Sequence, residues 1–523
     1  MHKILSTIIM TLLPLCAMAQ GLQMVKGDCA PPAEGVSGHR AAARRLPAIN
    51  TNWDAQKSYK QLVVLFSFRD TDFQHDDAND YYNRLFNEPG YHERSGNGCV
   101  ADYFRDQSNG LFNLDFDVYG PFKVDTLAQP YQNPTSKTKN YGYWMMKDAT
   151  QQLLEAYPRI DYSQYDWNGD GTIEQVIYIY AGVSGNTGAY GHIWPNTSAF
   201  GAIATPDGMT ISNYTTSSEL LGTNIFSGIG TICHEYCHSL GLPDIYPTSS
   251  NAGYSICDEW DLMDGGNFIN LGWCPPNLTP LEKMLLGWLT PTELNEPTTI
   301  SGLKPVADGG EVYQVKHTNT EYLLIENRQQ NGWDAGAPGA GLVVWHINYL
   351  ASYWRSNTVN NTAGKPNFHL VHADNIDYDG WEALVGKAKH KNKAYMNSLL
   401  LSTSPYPWTT DSTDFVNNQL TDTSVPAATM YNANAEGSTL LAKPITNITM
   451  TTDGLVSFDF MGGSKPELKG DLNSDGVVNA QDIQLVIMAC ATGATDKVYD
   501  LNGDDIVNSL DIQEVINLAA QSS

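Results

Sequence analysis

Apolar residues along this chain fall into short runs whose period changes from region to region. LVVLFSF, starting at Leu62, is apolar throughout and rich in β-branched and aromatic residues, the pattern of a strand buried on both faces. NDYYNRLFN and CVADYFRDQSNG carry helical spacing, LFNLDFDVYG alternates like a half-buried strand, and YGYWMMKDATQQLLEAY (141–157) returns to helical spacing. VIYIYAG (176–182) reads as a second buried strand, and IGTICHEYCHSLG as a helix that Gly241 ends. From about residue 290 the runs shorten. EVYQVKH, TEYLLIENRQ, GLVVWHINY and ITNITMTTDGLVSFDF predict strands separated by Gly, Asn and Pro turns.

The ends of the chain differ from this middle. MHKILSTIIMTLLPLCAMAQG has one Lys, an apolar run and then Ala17-Met18-Ala19, which together fit a secretory signal peptide over 1–19. The run is too short and too interrupted by Pro14 to span a membrane, so the expectation is an exported, secreted protein. Residues 20–50 are Ala-, Gly- and Pro-rich and read as a flexible lead or pro-segment that contains Arg44-Arg45. GGSKPELKG (462–470) has a linker's composition. Beyond it GDLNSDGVVNAQDIQLVI recurs as YDLNGDDIVNSLDIQEVI, the one internal repeat. The expected partition is therefore an α+β domain over 51–290, a mostly-β region over 291–461 that completes or flanks it, and a small all-α domain over 471–523.

A net charge of -27 argues against nucleic-acid binding and suits divalent cations. Seven cysteines remain beyond the signal segment, an odd and sparse number, so disulfides are accessories at most. Cys233 and Cys237 are expected to pack or to pair with Cys257 or Cys274.

The sharpest chemistry lies in CHEYCHSLGLPDIY. Residues four apart on a helix share a face, so His234 and His238 can both aim at one ion, while Glu235 is turned about 100° away. Two imidazoles holding a Lewis acid beside a carboxylate that takes a proton from water is the division of labour in H-E-x-x-H peptidases. Gly241 can turn left-handed and Pro243 prevents the helix resuming, which lets Asp244 return as a third ligand; Glu259 and Asp261 are rivals for that place.

This stretch resembles the metzincin clan of zinc peptidases, and specifically the immune inhibitor A family with its H-E-x-x-H-x-x-G-L-P-D core. KQLVVLFSFRD, VADYFRDQSNGLFNLDFDVYGP, DWNGDGTIEQVIYIYAG, DEWDLMDGGNF, LTPLEKMLLGW and YLLIENRQQNGWD are similar to stretches of that family in the same order, over about 55–460. The resemblance implies a twisted sheet with an active-site helix, one catalytic zinc on His234, His238 and Asp244, Glu235 as the base, and Met263 of WDLMDGG as a hydrophobic floor beneath the histidines. It also raises latency through Asp28 or Cys29 in the lead, although no cysteine-switch motif surrounds them.

Calcium loops are the second motif. In DWNGDGTIE, Asp166, Asn168 and Asp170 hold positions 1, 3 and 5 of an EF-hand-type loop, and Glu174 at position 9 is the candidate to close it. In the repeat, Asp471, Asn473, Asp475, Asn479 and Asp482 fill positions 1, 3, 5, 9 and 12, as do Asp500, Asn502, Asp504, Asn508 and Asp511. Asp505 stands where glycine is usual. Two such loops each leading into a helix look like a dockerin, which implies two calcium ions and docking to a cohesin domain of a scaffold protein, with cell-surface association through it. A third calcium is expected in the catalytic domain. The function expected is a secreted zinc endopeptidase acting on proteins or peptides; the alternative is a catalytically inactive, calcium-dependent binding or scaffold component. No carboxylate pair can be placed for glycan hydrolysis.

Overall fold

The computed structural model describes residues 46–128, 141–185, 193–249, 256–362, 364–376, 401–409, 416–464, 469–473 and 477–521. Asp28, Cys29 and Asp475 lie outside them, as does the signal segment.

The first sheet comprises β1 (Ser58–Ser67), β2 (Asn113–Lys123), β3 (Val176–Val183), β4 (Asn196–Ala204), β5 (Thr210–Gly222) and the short β6 (Ile225–Phe226), in the order β2-β1-β3-β5-β4 with β6 on β5. β2, β1, β3 and β5 run parallel, and β4 lies antiparallel at the edge. Both faces are covered, which explains the unbroken apolar runs of β1 and β3. Val63, Leu65, Ile177 and Ile179 meet helices α1 (Ala78–Asn87) and α2 (Val100–Gln107), whereas Leu62, Val64, Val176 and Tyr178 meet α3 (Tyr141–Ala156) through Met145, Met146, Ala149 and Leu153. The outer edge of β2 is closed by amides from α1. Asn79 donates to the Val118 and Gly120 carbonyls, and Asn87 exchanges two bonds with Phe116. Helix α4 (Gly230–Ser239), which carries the histidines, sits in the same core as α1 and α2 through Ile232, Cys233, Tyr236 and Cys237.

After α5 (Pro280–Leu285) and β7 (Thr292–Glu293) the chain is mostly strand. β7, β9 (Tyr313–Lys316), β10 (Glu321–Arg328), β11 (Gly341–Asn348) and β12 (Phe368–Leu370) form a five-stranded sheet. β8 (Thr298–Leu303), β15 (Ile445–Met450) and β16 (Val456–Phe460) form a three-stranded one, and β13 (Trp408–Thr409) pairs with β14 (Val416–Asn417). Alternate residues of β10 and β11 serve two cores. Tyr322, Leu324, Val343, Trp345 and Ile347 join the core of α1, α2 and α4; Leu323, Ile325, Leu342 and Val344 pack with β8, β15 and β16. Packing is therefore continuous across residue 290. The fully buried Arg328 reinforces it, bonded to Glu326 and Asp334 at 2.8 Å each, while Asp334 accepts from Asn277 and Asn277 meets Gln107 of α2. Buried charges of this kind are retained only when fully paired.

A short helix, α6 (Ala351–Arg355), follows β11. The C-terminal segment holds α7 (Ala480–Thr492) and α8 (Ser509–Gln521) around Val478, Val486, Leu501 and Val515. Among the described residues no helix is long and apolar enough to cross a membrane. Cys99, Cys233, Cys237, Cys257, Cys274 and Cys490 are free thiols. The expected option of pairing for Cys233 or Cys237 therefore gives way to packing: both are fully buried, and burial pushes their thiols well above the usual range.

Candidate active site

Gly230 through His238 of α4 are all buried, so the helix is a core element that presents its histidines inward. It ends at Gly241, whose φ of +100° suits glycine, and a Cβ there would lie 2.7 Å from Ile49 Cγ1. The Leu242 N–H closes the turn on the Cys237 carbonyl at 3.0 Å. This reversal brings Asp244 back to the histidines. Its Oδ1 lies 3.3 Å from His234 Nε2 and 3.1 Å from His238 Nε2. The opposite ring nitrogens are engaged: His234 Nδ1 with the Leu262 carbonyl and His238 Nδ1 with the Leu242 carbonyl, each at 2.8 Å. When Nδ1 alone carries the ring proton, Nε2 of each ring is a lone-pair donor facing Asp244.

These atoms fit a divalent ion. His234 Nε2 and Asp244 Oδ1 are buried without a hydrogen-bond partner, an arrangement that costs free energy unless something bridges them. Donors at about 2.0–2.1 Å around a tetrahedral zinc stand about 3.3 Å apart, the spacing seen, and two imidazoles with a carboxylate are a zinc-type donor set. Among the described residues, His234, His238 and Asp244 are the only three such groups whose ligand atoms gather within 4.8 Å of one another. Asp261 is turned elsewhere: its Oδ1 accepts from the Met263 N–H at 2.6 Å, and burial followed by the nearby Glu282 pushes its carboxyl up. Neither it nor Glu259 joins the cluster. The turn around Met263 serves as scaffold. Leu262 holds His234, the Met263 carbonyl accepts from Ile245 N–H at 2.9 Å, and Met263 itself is fully buried.

The charges respond as expected for a site that wants a cation. Burial raises the Asp244 carboxyl, but His238 and His234 outweigh it and hold it well below the usual range. Burial works against a proton on His238, yet Asp244 lifts that imidazole to about 9. Glu235 is raised, by burial above all, with the histidines opposing. Its Oε1 is unpartnered and its Oε2 accepts from Thr197 Oγ1 at 3.0 Å.

Two residues of the site carried no signal in the sequence. Thr197 belongs to the edge strand β4 and touches the Glu235 side chain. Asn357, following α6, donates from Nδ2 to Asp244 Oδ2 at 2.6 Å.

Two of the three candidate calcium loops share one backbone pattern. In the first, Asp166 accepts from the N–H groups of Gly169, Asp170 and Gly171, Asn168 from Asp170, and Asp170 from Thr172. In the last, Asp500 accepts from Gly503, Asp504 and Asp505, Asn502 from Asp504, and Asp504 from Ile506. The closing carboxylates also correspond. Asp511 accepts from Leu501 and Asn502 and Asp482 from Leu472 and Asn473; Glu174 accepts likewise from Trp167 and Asn168. Glu174, three positions early, therefore occupies the place of the position-12 residue. Asn479 and Asn508 stand at the starts of α7 and α8, where each accepts from an N–H two residues on.

The motif helix, its returning carboxylate and the mixed sheet beside them have the arrangement of a metallopeptidase domain. More particularly, residues 53–277 match the family model of the immune inhibitor A peptidase M6 catalytic domain, and residues 469–518 match that of the dockerin type I domain. Immune inhibitor A of Bacillus thuringiensis subsp. alesti is 25% identical over 282 residues, covering 44% of this chain and 40% of that protein. The pre-pro-metalloprotease PrtV of Vibrio cholerae serotype O1 (strain M66-2) is 24% identical over 216 residues, covering 36% of this chain and 23% of that protein. The chain thus spans less than half the length of the curated relatives it matches. The resemblance drawn from the motifs holds as a likeness: one segment matches the immune inhibitor A peptidase family and a later one the dockerin type I family.

Proposed function

We propose that this protein is a secreted zinc-dependent endopeptidase that hydrolyses peptide bonds in protein or peptide substrates and carries a calcium-dependent docking module at its C-terminal end. The observation that carries the reading is the convergence of His234 Nε2, His238 Nε2 and Asp244 Oδ1 beside the free Oε1 of Glu235. His234, His238 and Asp244 would hold the ion, and Glu259 and Asp261 would not. A bound zinc would supply Lewis acidity to a water and to the scissile carbonyl. Glu235 takes a proton from the attacking water at Oε1 and delivers it to the leaving amine nitrogen, a role helped by the raised affinity for protons that burial gives it. Thr197 fixes the carboxylate so that Oε1, not Oε2, faces the reaction.

Calcium on Asp166, Asn168, Asp170 and Glu174 would brace the turn into β3, and two more ions on the repeated loops would order α7 and α8. The dockerin match supports a cohesin domain as partner of that segment. The apolar run and Ala17-Met18-Ala19 support export.

The test is metal content together with casein cleavage. One tightly bound zinc, cleavage lost on chelation, and a Glu235→Ala variant that keeps zinc while losing nearly all proteolysis are expected. Full zinc occupancy without cleavage of any protein substrate would favour the alternative, a calcium-dependent binding component.

A further inference from the structure

The ligand that returns to the helix is held from outside the segment matched by the peptidase family. Asn357 grips Asp244 at both ends of its amide. Nδ2 donates to Asp244 Oδ2 at 2.6 Å, and Oδ1 accepts from the Asp244 N–H at 2.6 Å. Oδ2 is thus engaged, and Oδ1 is left as the one oxygen facing His234 and His238. Asn357 adopts φ +56°, a left-handed conformation that asparagine tolerates better than most residues.

The neighbours of Asn357 continue the grip without touching the carboxylate. Asn360 Nδ2 donates to the Ile245 carbonyl at 2.8 Å, Asn361 Oδ1 accepts from Ser249 N–H at 3.1 Å, and the Asn357 carbonyl accepts from Thr248 Oγ1 at 2.7 Å. Buried Trp354 and Val359 anchor this NTVNN stretch in the core shared with α4. On the other side, the Leu46 N–H donates to the Arg355 carbonyl at 3.2 Å.

We propose that Asn357 is a positioning residue for the metal: it orients Asp244 so that a single oxygen completes the three-donor site. The site is then assembled by the mostly-β region as well as by the H-E-x-x-H helix. An outer partner that fixes a ligand's orientation typically accounts for 10–100-fold in metal affinity. This inference rests on His234, His238 and Asp244 being the ligands, and the test separates the two.

The full-length apoprotein is titrated with Co2+ and Zn2+ in competition with a chromogenic chelator, and the visible absorption of the Co2+ form is recorded. Wild type is expected to bind tightly and Asp244→Ala to bind far more weakly; an Asp244→Ala variant with wild-type affinity would refute the ligand assignment itself. Asn357→Ala is expected to weaken binding 10–100-fold and to alter the Co2+ spectrum. Asn357→Asp keeps the acceptor for Asp244 N–H but loses the donor, and is expected to weaken binding to a similar extent should Asn357→Ala fail to fold. Asn360→Ala loosens the same segment and is expected to lower the melting temperature while changing affinity less than two-fold. Wild-type affinity and spectrum in both Asn357 variants, or an equal loss in Asn360→Ala, overturns the positioning role.

Discussion

Thr197 Oγ1 lies 3.0 Å from Glu235 Oε2 and 2.5 Å from the Glu235 backbone carbonyl, so the single proton of this edge-strand hydroxyl is shared between the side chain and the backbone of Glu235. Thr215 of β5 stands behind it, 3.1 Å from Thr197 Oγ1 and bonded to Gln175 at 2.6 Å. Thr197→Val keeps the shape and removes the hydroxyl. The expected outcome is a fall of about ten-fold in kcat/KM, about 1.4 kcal/mol, at unchanged zinc content, with Thr197→Ser restoring most of it. Steady-state kinetics on a peptide substrate beside a zinc assay checks this. Unchanged kcat/KM would mean that Glu235 needs no such support.

Thr197 and Thr215 also mark where sequence reading fails. β1, β3, α1, α2 and α4 are legible because one period of apolar residues dictates each. β5 is interior and buried, yet its buried positions include Thr215, Thr216, Ser217, Ser218 and Glu219, and β4 beside it reads NTSAFGAIA. Polar side chains stand where apolar ones are usual, Thr215 bonded to Gln175 and Ser218 to the Leu220 carbonyl, so alternation of hydrophobicity vanishes although the strands are there. The H-E-x-x-H-x-x-G-x-x-D cluster is legible because its residues sit on one helix and one glycine turn. Asn357 is not, since its partner Asp244 lies more than a hundred residues earlier and only tertiary folding joins them.

Glu174 leads to a pH prediction. Burial first, and then the neighbouring Asp166, raises its carboxyl from 4.5 to about 7 despite the N–H groups of Trp167 and Asn168. With the proton bound more tightly in the folded state, the stability contributed by this group is full below pH 4.5 and is lost as pH rises towards 7. In chelator, the melting temperature should therefore fall between about pH 5 and pH 8, and Glu174→Gln should flatten that fall. Added calcium, which takes the proton's place, should stabilise more at pH 8 than at pH 5. Thermal melts at a series of pH values, with and without calcium, check the sign; a calcium effect independent of pH would remove Glu174 from the ligand set.

The shared core predicts where the chain can be cut. Residues 46–290 alone lack Tyr322, Leu324, Trp345 and Ile347, and they lack Arg328, whose partner Asp334 holds Asn277. Losing several large core side chains at once exceeds typical domain stability, at about 2–5 kcal/mol each. The fragment is expected to show no cooperative thermal transition by circular dichroism, whereas residues 46–461 should melt cooperatively. A sharp melt of the shorter fragment would show that the mostly-β region only flanks the peptidase domain.

Asp505 supplies the last prediction. It occupies the turn position held by Gly171 in the catalytic-domain loop, and both adopt left-handed backbones, with φ of +64° and +85°. Their N–H groups do the same work, donating at 2.8 Å to Oδ2 of Asp500 and of Asp166. A side chain there adds strain that glycine avoids, about 1 kcal/mol. The compensating contact is an ion pair between Lys497 and Asp505 at 2.7 Å, with both side chains largely exposed, and such pairs contribute little. Asp505→Gly should therefore relax the loop around the same oxygens and tighten calcium binding roughly five-fold. Calorimetric titration of the full-length protein measures this, because only the second C-terminal loop changes. Weaker binding in the variant would show that the Asp505 carboxylate draws the ion in electrostatically, and that this outweighs the strain of its backbone.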